Sequence, residues 1–260
     1  MELSRIRIYP IKSLDGVDVS EAAITAGGSL ENDRVYAMFD GEGRIVNGKR
    51  TADVHRLRCA FDERMREVTL RSEGSSTSTR FALDDPRPLE RWFGDYFGFS
   101  IELRHEPAQG FPDDAVASGP TLVGVESLRE VQRWYEGLEL ENVRRRFRTN
   151  LELDGGEGFR EDALFGGPGE LKPFRIGSVR FLGHNPCQRC VVPSRDPDSG
   201  EAIRGFQKLF ARRREDRLQQ WSDVRRFDHF YRFAVNSSIP PSEAGKRLRI
   251  GDSVTIDPPA

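Results

Sequence analysis

The chain is poor in the residues that usually announce a chemistry. Three cysteines, Cys59, Cys187 and Cys190, and four histidines stand among 260 residues. That cysteine number, small and odd, does not suit a secreted disulfide framework, and a reducing cytoplasm fits it better. No charge of one sign dominates. Forty basic residues against forty-two acidic ones leave a net charge of −2, so there is no global field to draw the chain to nucleic acid or to an anionic membrane. No apolar run approaches the roughly 18 residues of a membrane span. Met1-Glu2-Leu3-Ser4-Arg5 lacks the basic and apolar regions of a secretion signal. These absences lead us to expect a cytoplasmic monomer with no membrane anchor and no nucleic-acid partner. Internal repeats and low-complexity linkers are missing as well. A hydrophobic content of 37% is enough to bury the core of one large domain or two closely packed ones.

Short strands are plentiful. Residues 3–9, 17–24, 34–39, 57–62 and 68–71 read as strands, each bounded by Gly, Asp or Asn. Asp40-Gly41-Glu42-Gly43, set between apolar runs at 35–39 and 44–46, predicts a hairpin. The even spacing of these strands predicts a small barrel, and the serine-rich stretch 72–78 an exposed loop. Asp85 before Pro86 predicts the start of a helix running to Phe97, with Trp92, Phe93, Tyr96 and Phe97 read as core. A second helix is expected over 127–135, where Leu128, Val131, Trp134 and Tyr135 share a face. Further strands are expected at 148–153, 177–182 and 247–256. A helix is expected over 203–221, its start weakened by Gly205. Arg212, Arg213, Arg214, Arg217, Arg225 and Arg226 alternate with acids, so they read as a solvated face.

The stretch 183–201 concentrates the chemistry. Two cysteines lie three apart in Cys187-Gln188-Arg189-Cys190, with Arg189 directly before Cys190, and the dense turn Asp196-Pro197-Asp198-Ser199-Gly200 follows. A guanidinium beside a thiol favours the thiolate, the form that attacks or ligates a metal. The spacing alone suits a redox pair or half of a zinc site. Zinc needs two more ligands, and only His55 lies near Cys59. A redox pair normally opens a helix, whereas Cys190 runs into Val191-Val192-Pro193.

Asn185-Pro186-Cys187-Gln188-Arg189-Cys190, followed by Asp196-Pro197-Asp198-Ser199-Gly200, resembles the signature of the MOSC family. That family takes its name from the C-terminal part of molybdenum cofactor sulfurase and includes the mitochondrial amidoxime-reducing component. Tyr9-Pro10-Ile11-Lys12-Ser13 with Asp33-Arg34, and Phe147-Arg148-Thr149-Asn150, resemble two further family segments, so the likeness spans nearly the whole chain. It implies a β-rich α+β fold: an N-terminal β-barrel region over 1–98 packed against a β-barrel-like MOSC domain with peripheral helices over 99–260. It also implies a molybdenum cofactor, Mo-molybdopterin, with Cys190 as metal ligand and catalytic residue. Lys12, Ser13, Arg34 and Ser118 would then hold pterin and phosphate, with Arg148, Asn150 and Arg189 alongside. Ala117-Ser118-Gly119-Pro120 follows the relatives' Thr-Ser-Pro only loosely.

The activity so implied is two-electron reduction of a small N-oxygenated substrate. Three cysteines cannot supply the four thiolates of an iron–sulfur cluster, and no Gly-x-Gly-x-x-Gly follows a strand. A separate flavin or iron–sulfur protein is therefore the expected electron donor. The same resemblance leaves a second function open, handling of the cofactor or of sulfur carried on Cys190. The pyridoxal-phosphate domain of sulfurases has no room in a chain of this length beside the barrel. Two positions depart from the family pattern. Thr149 replaces a proline, and Phe233 stands where relatives place a tyrosine near the cofactor, which removes a hydroxyl from that wall.

Overall fold

A computed structural model describes residues 1–256, and the last four residues of the expected second domain lie outside that range. In β1 (Glu2–Ile8) Leu3, Ile6 and Ile8 point into the core. The step from Leu3 to Ile6 breaks the two-residue period of a strand, and a register shift between Leu3 and Arg5 restores it. Next come β2 (Val17–Val19), β3 (Glu21–Ala23) and β4 (Tyr36–Asp40), then an antiparallel sheet of β5 (Leu57–Phe61), β6 (Glu67–Ser72) and β7 (Thr79–Ala82). The expected hairpin after β4 forms, with Asp40 N donating to Arg44 O at 3.0 Å and Gly43 at φ 72°. α1 (Pro86–Phe97) starts at its proline and stops at Gly98, whose φ is 77°. It leads into β8 (Ile101–His105), the partner of β4.

The second half contributes β9 (Leu122–Gly124), α2 (Val125–Trp134), α3 (Leu140–Phe147), β10 (Leu151–Asp154), β11 (Lys172–Ile176), β12 (Val179–Gln188), α4 (Phe206–Asp216), β13 (Arg232–Ser238), β14 (Arg247–Arg249) and β15 (Val254–Ile256). The main sheet has the order β15-β11-β12-β13-β9-β10-β1-β2, antiparallel except between β9 and β10. This sheet wraps round until β1 meets the segment entering β15. Leu3 N donates to Asp252 O at 2.8 Å, Val254 N donates to Met1 O at 2.9 Å, and Glu2 bridges Ser253. Strands from the first twenty residues thus complete a wall built by residues 122–256. Leu3, Ile6, Leu122, Leu151, Phe174, Phe181 and Val235 form the core inside it. A second core joins α1 to the three-stranded sheet through Leu89, Phe93, Leu57, Leu70 and Phe81. A third joins α2, α3 and α4 through Leu128, Val143, Phe147, Phe206 and Phe210. Burying each such side chain contributes about 1.5–3 kcal/mol. The fold is β-rich α+β.

Two expectations need correction. The helix over 203–221 is shorter, because Gly205 at φ 76° only caps it and Asp216 ends it. The chain then turns inward so that Trp221 Nε1 can reach Phe159 O at 3.1 Å. Nor is the arginine run of α4 wholly solvated. Arg214 is fully buried, paired with Asp162 and lying 4.0 Å over the Phe159 ring. Among the described residues no helix is long and apolar enough to cross a membrane.

Candidate functional site

A cavity of about 410 Å³ opens between the first β-strand segments, α3, β12–β13 and the segment after Phe111. Lys12, Ser13, Arg34, Ser118, Arg148, Asn150, Arg189 and Cys190 all line it. The lining also holds Lys49, Arg146 and Arg232, giving seven lysines and arginines against three carboxylates, Asp33, Asp113 and Asp114.

Backbone strain aims several of these groups. Ser13, Arg34 and Arg148 hold φ of 77°, 54° and 52°, the left-handed region that a side chain occupies at a cost of about 1 kcal/mol or more. Arg148 closes α3, its N–H bonded to Arg144 O, and Arg34 N–H is held by Tyr9 O at 2.8 Å. The Arg148 and Arg34 guanidinium groups lie 4.2 Å and 5.3 Å from the centre of the same Tyr9 ring. Arg34 donates to the Asp33 carboxylate and to Asn150 Oδ1. Asn150 is itself buried, accepting from Thr121 N at 3.2 Å and donating to Arg7 O at 3.0 Å, so it acts by orienting Arg34. Burial and the neighbouring Arg34 push the Arg148 guanidinium below its usual pKa. Two crowded guanidinium groups against one close carboxylate leave positive charge that an added anion would relieve. Lys12 is buried too, donating to Phe111 O at 2.8 Å and Asp113 Oδ1 at 2.7 Å.

The cysteines behave differently from each other. Cys187 is on β12 and Cys190 lies just past its end. Arg189 Nη1 sits 3.1 Å from Cys187 Sγ, while Nη2 donates to Phe147 O. The guanidinium expected at Cys190 thus makes its hydrogen bond to Cys187, while its charge is also felt at Cys190. Cys59 lies on β5 behind the cavity, its Sγ 3.5 Å from Asp15 O, and burial raises its pKa. Among the described residues no three His, Cys, Asp or Glu side chains converge as metal ligands.

Arg146, which sequence reasoning passed over, holds the segment after Cys190. Its buried side chain donates to Asn142 Oδ1 at 2.6 Å, Arg195 O at 2.6 Å and Pro193 O at 3.2 Å, and it pairs with Asp196 at 3.3 Å. Arg145 grips both carboxylate oxygens of Asp198 at 2.9 and 2.7 Å. Asp196 Oδ1 accepts from Asp198 N and Ser199 N, each at 3.0 Å, so the Asp-Pro-Asp-Ser-Gly turn is pinned to α3. The run Arg144-Arg145-Arg146 was the signal available, though nothing in it told which arginine turns inward. His55 also lines the cavity, and burial together with Arg148 lowers its pKa to about 4, which leaves it neutral near pH 7. Phe233 does not line the cavity. Its ring packs 4.5 Å from Phe147 and 5.7 Å from Phe210 in the helical core, so the loss of a hydroxyl there does not alter this wall.

The donor set fits an anion with a soft, metal-bearing part, since thiols and oxyanion-binding lysine and arginine line the same cavity. Residues 1–94 match the family described as MOSC N-terminal beta barrel domain, and residues 121–255 match the MOSC domain. A molybdenum cofactor sulfurase of Oryza sativa subsp. japonica is 21% identical over 255 residues, covering 80% of this chain and 30% of the sulfurase. The same-named protein of Drosophila grimshawi is 23% identical over 291 residues, covering 98% of this chain and 34% of its own length. Mitochondrial amidoxime reducing component 2 of Homo sapiens is 22% identical over 242 residues, covering 76% of this chain and 68% of that protein. The chain spans about a third of the length of these sulfurases. With the MOSC domain matched over more than half of its residues and the N-terminal barrel domain matched before it, this chain belongs to the MOSC family.

Proposed function

We propose that the cavity binds Mo-molybdopterin and that the protein is a reductase of small N-oxygenated compounds, supplied with electrons by a separate flavin or iron–sulfur protein. The observation that carries this reading is the meeting of Cys190 with Lys12, Arg34, Arg148 and Arg189 in one cavity of a MOSC chain. Bound there, the cofactor would supply two-electron removal of the substrate oxygen. The chain supplies the rest. Cys190 offers a soft thiolate to the metal. Arg146 fixes the segment that follows it, so that the sulfur is held in place. Lys12, which is buried, and Arg34 and Arg148, which are partly buried, bind the phosphate and pterin end more strongly than fully exposed cations would. Ser13 and Ser118 offer hydroxyl donors from the cavity wall.

In this reading the protein works in the cytoplasm as a monomer, with residues 1–98 and 99–260 as its two parts. Purified protein should contain molybdenum near one equivalent and reduce a model N-hydroxylated compound with reduced viologen. NADPH alone should give no turnover, and turnover should appear when a flavin or iron–sulfur reductase is added. It should then fall with ionic strength, since docking is steered by charge. Turnover with NADPH and no second protein would defeat the proposal. The sulfurase relatives favour a second reading, transfer of the cofactor or of sulfur. Full molybdenum loading without viologen-driven turnover of N-oxygenated or S-oxygenated substrates would make that the better account.

A further inference from the structure

One carboxylate of the chain already reaches into the anion end of the cavity. Asp113 lies between β8 and β9, outside any helix or strand. Its Oδ1 is 2.7 Å from Lys12 Nζ, and Arg34 and Lys49 face it across the cavity. The pair is lopsided, with 8% of the lysine side chain exposed and 69% of the aspartate. Although most of Asp113 faces solvent, its carboxylate lies among these cations. The lysine belongs to the interior, and the aspartate reaches it from outside.

The segment carrying Asp113 is pinned at its two ends. Phe111 N donates to Arg34 O at 2.8 Å, and Gly119 N donates to Ser237 O at 2.9 Å. Gly110, at φ 67°, packs so closely that a Cβ there would come within 2.8 Å of Asp33 O. Between these anchors, the backbone bonds of Val116 N and Ala117 N go to Asp114 in the same segment. Among the described residues, the ion pair from this stretch to the body of the protein is Asp113 on Lys12, while Asp114 faces His184 and Ala117 is buried.

We propose that Asp113 is a built-in placeholder for the ligand's anionic group: it pairs with Lys12, and an incoming phosphate that takes the same ammonium displaces it and loosens residues 113–117. This rests on the reading of the cavity as an anionic-cofactor site. The asymmetry of the pair makes the exchange easy. A buried ammonium left alone is costly, and here Lys12 has a partner before and after the exchange. Asp113 gives up its cation neighbours on leaving, but its side chain is already largely exposed and rehydrates readily, and the incoming phosphate takes its place among the same cations.

The test is calorimetric titration of inorganic phosphate into the full chain, made in a host that lacks the molybdenum cofactor. Wild type is compared with D113N, D114N, K12M, R34A and the double variant D113N/K12M. Asparagine preserves shape, and melting curves check that each variant folds. We expect D113N to bind phosphate about three- to thirtyfold tighter than wild type, D114N to change affinity less, and the gain to vanish without Lys12. Phosphate should also speed hydrogen exchange at residues 113–117 of the wild type. If D113N binds no tighter than wild type, or D114N gains as much, the placeholder is refuted, while loss of binding in K12M and R34A keeps the anion-site reading. If K12M and R34A bind phosphate as wild type does, the site reading itself fails and takes the placeholder with it.

Discussion

Replacing Arg146 by methionine should release the Cys190 segment while leaving most of the protein folded. The arginine side chain is 1% exposed and pairs with Asp196, whose side chain is 31% exposed. Removing it takes away donors from two carbonyls, Pro193 O and Arg195 O, and from the Asn142 amide oxygen. Breaking a buried pair costs about 3–5 kcal/mol. Asp196 can rehydrate and keeps its bonds from Asp198 N and Ser199 N, so the lower end, about 3 kcal/mol, is the better figure. For a chain of this size that is a fall of about 6–12 °C in melting temperature. Hydrogen exchange should separate local from global effects. The amides of residues 194–196 and 198–200 should lose protection well before those of β12 and β13, and molybdenum content should fall with them. Lysine at 146 should not rescue, since it cannot reproduce the fork that spans Asn142 and the two carbonyls. Unchanged protection at 194–200 with a normal metal content would refute the claim that Arg146 positions Cys190, the proposed metal ligand.

Cys190→Ser should abolish bound molybdenum and activity, because a hard hydroxyl is a poor substitute for thiolate. Cys187→Ser should be milder, losing only the sulfur that Arg189 contacts, and equal effects in metal analysis would point back to a paired cysteine site. Arg34→Ala or Arg148→Ala should weaken cofactor retention about ten- to a hundredfold without unfolding the chain, and unchanged pterin fluorescence after release would move the anion end elsewhere. Burial, with Asp162 beside it, raises the Glu161 carboxyl to about 7. The folded state therefore holds that proton more tightly than the unfolded chain. The stability this confers is complete below the unfolded carboxylate pKa and is lost as pH rises through about 7, a change of about 3 kcal/mol. Glu161→Gln should flatten wild-type stability between pH 5 and 7, and an unaltered slope in urea titrations would argue against it.

Much of the fold was legible because local signals were strong. Asp85-Pro86 and Gly98 bracket α1, and the Gly-rich turn after Asp40 sets a hairpin. α3 was hidden, because it is short, its apolar face is Leu140, Val143 and Phe147 alone, and one of its three fully buried residues is the charged Arg146. The union of β1 with β10 and β15 is a pairing between distant parts of the chain, which no local pattern encodes. At the site, the residues that the family resemblance singled out share one cavity, but side-chain direction did not follow from order. Arg189 precedes Cys190 yet turns to Cys187, and Phe233 turns away from the cavity next to Arg232, which lines it. The first lies just past a register shift at the end of β12, and the left-handed Ala234, at φ 69°, disturbs the pattern around the second.

The seam between β1 and the entry to β15 also sets an order of events at the ribosome. Glu2–Ile8 is made long before Val254–Ile256, so the wall cannot close until translation has passed its last strand. Until then β1 can pair with β10 while its other margin near Leu3, and the free side of β11, present unpaired backbone to solvent. Nascent chains stalled between residues 200 and 250 would carry both edges at once, which makes them the species most exposed to edge-to-edge aggregation and most in need of a chaperone.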